Sequence, residues 1–359
     1  MPPSVDGSHI KQEQLIAWPR VAAVSAMVAF SLPTFITGIE IYEGMAIADG
    51  LWVILIASIV LTLIGGVMGS IGALTRLNSY QLINIAFGRL GARVVNIAFS
   101  ISLLGWFGVN IDLFASAIIE LSLQQFNIII PSWPIELIAA ALMVLTTVIG
   151  FKAINTLASA LMPILIIVTG FMLIGAFDTF SIEQYLQIEK AHSMNTSQGV
   201  AAIVGAIIIG TIILPDITRF CKSWQGGLYT AFTAYMVVQC LVLLIAAFAA
   251  AAYQQFEILK LLLLLGLGLA AFIVVIAGSW ILNSLNFYST LLSLEASLPR
   301  TWHILTRKRY AFLLGSLGFV AALANILDVF ITFLIVLATI FIPVAGVIIV
   351  DFCLVNRTA

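Results

Sequence analysis

Charge is what this sequence has least of. Only 9% of its 359 residues are Asp, Glu, Lys or Arg, where soluble domains sit near one-quarter. A chain that wraps its core in a polar shell is therefore excluded. Histidine and cysteine are equally scarce, with three of each. His9, His192 and His303 fall in predicted tails or loops without clustering, and Cys221, Cys240 and Cys353 have neither metal-ligand nor redox spacing. No nucleophile–base arrangement, HExxH zinc motif, GxxxxGKS phosphate loop or repeated selectivity-filter segment appears. Enzyme and channel readings are weak, and no catalytic residue, metal ligand or cofactor is expected. A net charge of −1 gives no hint of nucleic-acid binding.

What is abundant is apolar surface. The chain is 62% hydrophobic with a mean hydropathy of +1.17, and apolar runs of about 20 residues, the length that crosses a bilayer, recur along it. This is the composition of an all-α integral membrane protein whose partner is the lipid bilayer. The first run begins after about twenty polar residues and lacks a small-residue cleavage signature, so it reads as a retained span. No period of 20 to 50 residues appears, which excludes solenoids.

Ten spans are predicted, at 21–46, 51–74, 93–122, 135–151, 156–176, 198–221, 226–252, 266–296, 309–325 and 329–355. QQFEILKLLLLLGLG, before the eighth, mimics an eleventh. Charge arbitrates: with ten spans and a cytoplasmic N-terminus, thirteen of the fifteen Lys and Arg fall on the cytoplasmic side, leaving only Lys190 and Lys260 outside. Both termini are then cytoplasmic, as tails 1–20 and 356–359 around a core of 21–355. FSIEQYLQI, in the 177–197 loop, and the 75–92 segment are connectors able to lie along the surface.

The core divides into two five-helix halves, 21–176 and 198–355. Each half opens on an interrupted helix, SLPTFITG with Pro33 and Gly38, then GAIIIGTIILPD with Gly205, Gly210 and Pro215. Proline removes a backbone donor, and non-helical backbone at membrane depth survives only beside protein or a wet cavity. Matching interruptions in halves of opposite orientation predict an inverted-repeat transporter; simple kinking is the competing reading.

Span 3 carries SLLGWFGVNIDLF and its counterpart, span 8, carries AGSWILNSLNFYS. Trp106 with Asn110, and Trp280 with Asn283, each share a helix face. Flanked by Gly105 and Gly108, the Trp106 indole offers a plane on which a heterocycle could stack, at about 1–3 kcal/mol per ring. Asn110 and Asn283 offer donors and acceptors to its edge. Helix–helix gap filling and cross-helix bonding explain the same residues equally well. Asp112 is harder to place, since a carboxylate near the bilayer centre costs at least ~2.5 kcal/mol. It is read as a structural or coupling group ahead of a direct substrate contact. Asp216, in PDITRF, reads as a solvated or locally paired carboxylate.

These pieces, with IGALTRLNSYQLINIAFGRLGA, LPDITRF and IPVAGVIIVDF in order, resemble the cytosine/purine permease branch of the nucleobase–cation symporter family. The resemblance spans nearly the whole chain from about residue 20. It implies a LeuT-type five-plus-five inverted-repeat bundle of ten transmembrane helices, with helices 1 and 6 broken. It implies nucleobase transport across the cytoplasmic membrane by alternating access, coupled to a proton or sodium. The substrate is a nucleobase-like small molecule between helices 1, 3, 6 and 8, stacked on Trp106. Gly205 and Ile207 lie beside it from helix 6, and Asn283 from helix 8. This chain departs from the cytosine permeases: Leu103 stands for a glutamine, Ile207 for a phenylalanine, Ala206 and Ile209 for serines. Asn110 replaces a glycine and Asp112 a small apolar residue. Ile281 and Leu282 stand where sodium-coupled relatives place hydroxyls, which puts proton coupling or uncoupled transport on at least an equal footing with sodium. Family members usually have twelve spans, against ten here.

Overall fold

The computed structural model describes residue 10 and residues 12–149, 151–189, 193–297 and 307–355. The predicted tail before residue 10, the loop residues Lys190 and His192, the 298–306 stretch with Arg300 and His303, and the tail after 355 lie outside the described residues. Every one of the ten predicted spans coincides with helix, and among the described residues no strand of a sheet occurs.

Span 1 is two helices, α1 (Trp18–Ala29) and α2 (Leu32–Gly44), separated at Phe30 and Ser31. Ser31 is extended, at φ −73° and ψ 150°, and Pro33 sits in the first turn of α2. There its missing N–H leaves no bond unmade. α3 (Ile47–Thr75) ends on Arg76 in the left-handed conformation, φ 63°. α4 (Ser79–Phe126) is 48 residues long, about 70 Å at 1.5 Å per residue and more than twice the bilayer core. Gly88, at φ 64° and ψ 176°, resolves this by dividing it. The 79–87 stretch is a separate helix leading into the span, as the surface-connector reading of 75–92 anticipated.

α5 (Ser132–Ile149) and α6 (Phe151–Thr179) complete the first half. Within the FSIEQYLQI connector, α7 (Ile182–Leu186) is a short helix started by a capping box between Ser181 and Gln184. α8 (Thr196–Ile212) also opens on such a box, between Asn195 and Gln198. Ile213 and Leu214 interrupt it before α9 (Pro215–Thr218). α10 (Trp224–Tyr253) contains a π-helical stretch over Phe232–Gln239. α11 (Ile258–Leu264) has seven residues, about 10 Å, too short to span; the QQFEILKLLLLLGLG segment is not an eleventh crossing. α12 (Leu269–Ser297), α13 (Arg307–Leu323) and α14 (Phe330–Val350) follow, a 3₁₀ turn over Ile326–Val329 leading into the last. Six described helices are individually long and apolar enough to cross a membrane.

Two of the four predicted helix breaks are corrected. Gly38 and Gly210 lie inside continuous helix, because glycine, unlike proline, keeps its N–H and the hydrogen-bond ladder with it. Gly38 instead admits a neighbour: a Cβ there would come within 2.6 Å of the Leu243 carbonyl oxygen on α10. Small residues that let backbones approach are the usual adhesive between membrane helices. The interruptions sit where Pro33 and Pro215 start a new helix.

Packing forms three large buried clusters. One joins α3, α4, α8 and α14 and contains Trp106, Ile207 and Leu334. A second joins α2, α6, α10 and α12. A third, around Phe107, Met143 and Phe287, joins α4, α5, α12 and α13.

Candidate functional site

Helix α4 runs through the middle of the bundle, and successive residues on it face different neighbours. Trp106 and Phe107 therefore part company. Trp106 is 6% exposed and lies in the cluster with Ile207 of α8. Phe107 points into the cluster of α5 and α12.

The indole makes T-shaped contacts with two rings of the last span, Phe333 at 5.4 Å and 74° and Phe330 at 6.0 Å and 79°. Gly105 makes room for this, since a Cβ there would sit 2.6 Å from the Phe333 ring. Gly108 does the same for α13, with the Ala321 methyl 3.0 Å from where its Cβ would be. The two glycines thus bring helices close, and in this state the space beside the indole belongs to phenylalanine. Ile207 is 3% exposed. Gly205 lies against the Leu334 carbonyl, so close that no Cβ fits. Its backbone is packed on α14, a different service from the substrate contact expected of it.

Asn110 is fully buried one turn beyond Trp106. Its amide nitrogen donates to the Trp106 carbonyl at 2.8 Å, while Oδ1 has no partner. A buried unsatisfied acceptor is costly, by about 1–3 kcal/mol, and calls for a partner.

Asn283 is not brought to the same place. Its amide nitrogen donates to the Phe107 carbonyl at 2.9 Å and contacts the Met143 sulfur at 2.9 Å. Trp280, its companion, donates from Nε1 to Thr146 Oγ1 at 3.1 Å and packs on Phe114. Both residues tie α12 to α4 and α5, which corrects the expectation that their face looks toward the interrupted helices. The reason is non-local: α12 presents this face to α4 and α5, where the Asn283 amide nitrogen and the Trp280 indole nitrogen find acceptors while Asn283 Oδ1 stays buried without a partner.

Asp112 is 8% exposed and lies near the Leu327 backbone, in the turn before α14. Glu136 of α5 and Asp328 of the turn face it electrostatically. Asp216 departs from its expected solvated or locally paired role. Its Oδ1 accepts from the Ser79 N–H at 2.6 Å and so stabilises the start of α4, while Arg219 donates to the Asp216 carbonyl oxygen.

Sequence reasoning missed two polar residues. Gln239 closes the π-helical stretch of α10, is 1% exposed, and has no partner for either amide atom. One turn before it, the Tyr235 hydroxyl bonds Ser25 of α1 and Thr211 of α8. One turn after it, Leu243 abuts Gly38. Gln239 therefore sits level with the α1–α2 interruption. A lone glutamine in the apolar run AYMVVQCLVLL was the available signal. Glu136, 1% exposed with Oε2 unpartnered, was hidden by its position near the start of a span, where charge is ordinary.

An all-helical membrane bundle with spans 1 and 6 interrupted is the LeuT-type transporter fold, and solved structures agree. The chain superimposes on the inward-facing conformation of Mhp1 with a TM-score of 0.82 at 19% identity, covering 99% of this chain and 80% of that one. A closed conformation of Mhp1 with bromovinylhydantoin bound gives 0.75 at 19% identity, covering 99% and 82%. A mutant form of the manganese transporter of Eremococcus coleocola gives 0.61 at 14% identity, covering 96% and 80%. Cytosine permease of Escherichia coli strain K12 is 25% identical over 322 residues, 89% of this chain and 74% of its own length. The family model for permeases of cytosine/purines, uracil, thiamine and allantoin matches residues 21–359. The chain belongs to that family: it is a multi-pass membrane transporter and not an enzyme.

Proposed function

We propose that this permease carries a nucleobase, of the cytosine or purine kind, across the cytoplasmic membrane by alternating access, with both chain ends on the cytoplasmic side. The observation that carries the reading is the pairing of a buried aromatic plane, Trp106, with the unpartnered Oδ1 of Asn110 one turn away. A flat heterocycle presents both a π-face for the indole to stack on and the N–H donor that Asn110 Oδ1 lacks. Ile207 supplies an apolar contact from α8, and Gln239 a donor and an acceptor beside the α1–α2 interruption. For a base to reach the indole face, the rings of Phe330 and Phe333 have to withdraw, so loading involves movement of the first turn of α14. The curated cytosine permeases and the nucleobase–cation symporter bound to a hydantoin support this substrate class. The coupling cation is a proton or sodium, and the apolar Ile281 and Leu282 are poor ligands for sodium.

The test is saturable uptake of radiolabelled cytosine, uracil and hypoxanthine into proteoliposomes, alongside a thermal-shift panel of bases against amines. Uptake and stabilisation by at least one base, both weakened in Trp106→Ala, are expected. Stabilisation by amines alone moves the substrate class, and uptake unchanged in Trp106→Ala removes the pocket.

A further inference from the structure

The turn between α3 and α4 is tied down on two sides. Arg76, which ends α3 in the left-handed conformation, donates from Nη1 to the Arg219 carbonyl at 2.7 Å and to the Cys221 carbonyl. Three residues on, the Ser79 N–H donates to Asp216 Oδ1 at 2.6 Å. Both ties hold the start of the 79–87 helix to the end of span 6. Tyr80 reaches the other way, its hydroxyl pairing with Ser293 Oγ of α12 at 3.1 Å, and Ser293 is fully buried. The 79–87 helix then ends at Gly88, φ 64°, where an added Cβ would meet nothing within 4 Å. The backbone thus leaves the helical region at a point with open space beside it.

The two sides belong to separately knit bodies. α3 is held to α9 and α10 by close backbone packing: a Cβ at Gly72 would lie 2.6 Å from Pro215 Cα, and one at Gly69 2.9 Å from the Gly227 carbonyl oxygen. α4 is held to α12 by Ser100 Oγ donating to the Thr290 carbonyl at 3.1 Å and by the Asn283 amide on the Phe107 carbonyl at 2.9 Å. The 79–87 helix bridges these bodies, continuous in chain with α4 yet fastened to span 6. Alternating access moves one body of a bundle against another, and a separation at this end loads all three ties together. Hydrogen bonds to a charged group are roughly twice as strong as neutral ones, so the neutral Tyr80–Ser293 pair yields before the double bond from Arg76. Glycine then takes up the change of angle at Gly88 without a side-chain clash. We propose that the 79–87 helix is a strap carried by span 6, pivoting at Gly88 and clasped to α12 through Tyr80 and Ser293, and that release of this clasp opens the cytoplasmic end of the bundle. The inference rests on the transport reading for its use and its sidedness, though not for its contacts.

The test has two independent readouts on monodisperse full-length protein in lipid. Amide hydrogen exchange without substrate reports local opening. Tyr80→Phe keeps the ring and removes the hydroxyl, and Ser293→Ala removes the same bond from the other side. Each should raise exchange over 79–87 and 288–297 at least threefold. No rise in either variant, or a rise in one and not in the other, overturns the clasp. The second readout is exchange of radiolabelled cytosine, uracil and hypoxanthine across proteoliposomes at saturating base. Gly88→Val, whose branched side chain resists positive φ, should slow exchange at least threefold with half-saturation kept within twofold, while Gly88→Asn, which tolerates that conformation, should stay within twofold of wild type. A rate in Gly88→Val equal to or above wild type overturns the pivot. If the amides respond as stated while wild-type protein exchanges none of the three bases, the transport reading fails and the clasp stands.

Discussion

The Trp106 indole and the Phe333 ring stand at 74° with centroids 5.4 Å apart, an edge-to-face contact made possible because Gly105 has no side chain. It couples the span that offers the aromatic plane to the span that covers it. Removing the indole should therefore act on both stability and transport. Trp106→Ala is expected to destabilise the folded protein by about 3–5 kcal/mol and to lower base uptake per folded molecule at least tenfold. Trp106→Phe should recover most of the stability and part of the uptake. Thermal shift and uptake normalised to monodisperse protein check this.

Gln239 makes a sharper distinction between packing and recognition. Both of its amide atoms are buried without partners, so replacing it by an apolar residue of similar size relieves a desolvation cost. Gln239→Leu should leave the ligand-free protein as stable as the wild type or more so. The thermal shift produced by a bound base should shrink or vanish. A ligand shift equal to wild type would show that this amide faces nothing the substrate uses.

Gly205 and Gly170 form a matched pair. A Cβ at Gly205 collides with the Leu334 backbone, which cannot swing aside, while a Cβ at Gly170 meets nothing within 4 Å. Gly205→Ala should force α8 from α14 at a cost of about 1–3 kcal/mol. Gly170→Ala should be neutral or stabilising by about 0.5–1 kcal/mol, since alanine is the better helix former. Melting temperatures of the two variants in the same detergent test the contrast.

Asp216 is predicted to be structural. Asp216→Ala removes the acceptor for the Ser79 N–H and should cost about 1–2 kcal/mol, the value of a helix cap. Asp216→Asn keeps an oxygen there and should cost less than half as much. Because the bond lies away from Trp106, substrate affinity should be unchanged in both.

Much of the architecture was legible in the chain itself. Where helices cross the bilayer depends on local quantities, namely twenty apolar residues in a row, a proline that cannot donate, and a capping pair such as Asn195 with Gln198. The ten spans, the interruptions beside Pro33 and Pro215, and the surface helix at Ile182–Leu186 all follow from those. Trp106 and Asn110 were legible too, as one aromatic and one amide on the same face of a span. What each group touches was not legible, because a neighbour far along the chain decides it. Gly38 and Gly210 look like breaks in the sequence, yet the Leu243 carbonyl packs against the first and unbroken helix runs through the second. Asn283 looks like a ligand contact in the sequence, yet its amide nitrogen meets the Phe107 carbonyl and the Met143 sulfur. Hydropathy is a property of a segment and survives in one dimension; the partner of a buried polar atom is a property of the packed bundle, and only tertiary structure assigns it.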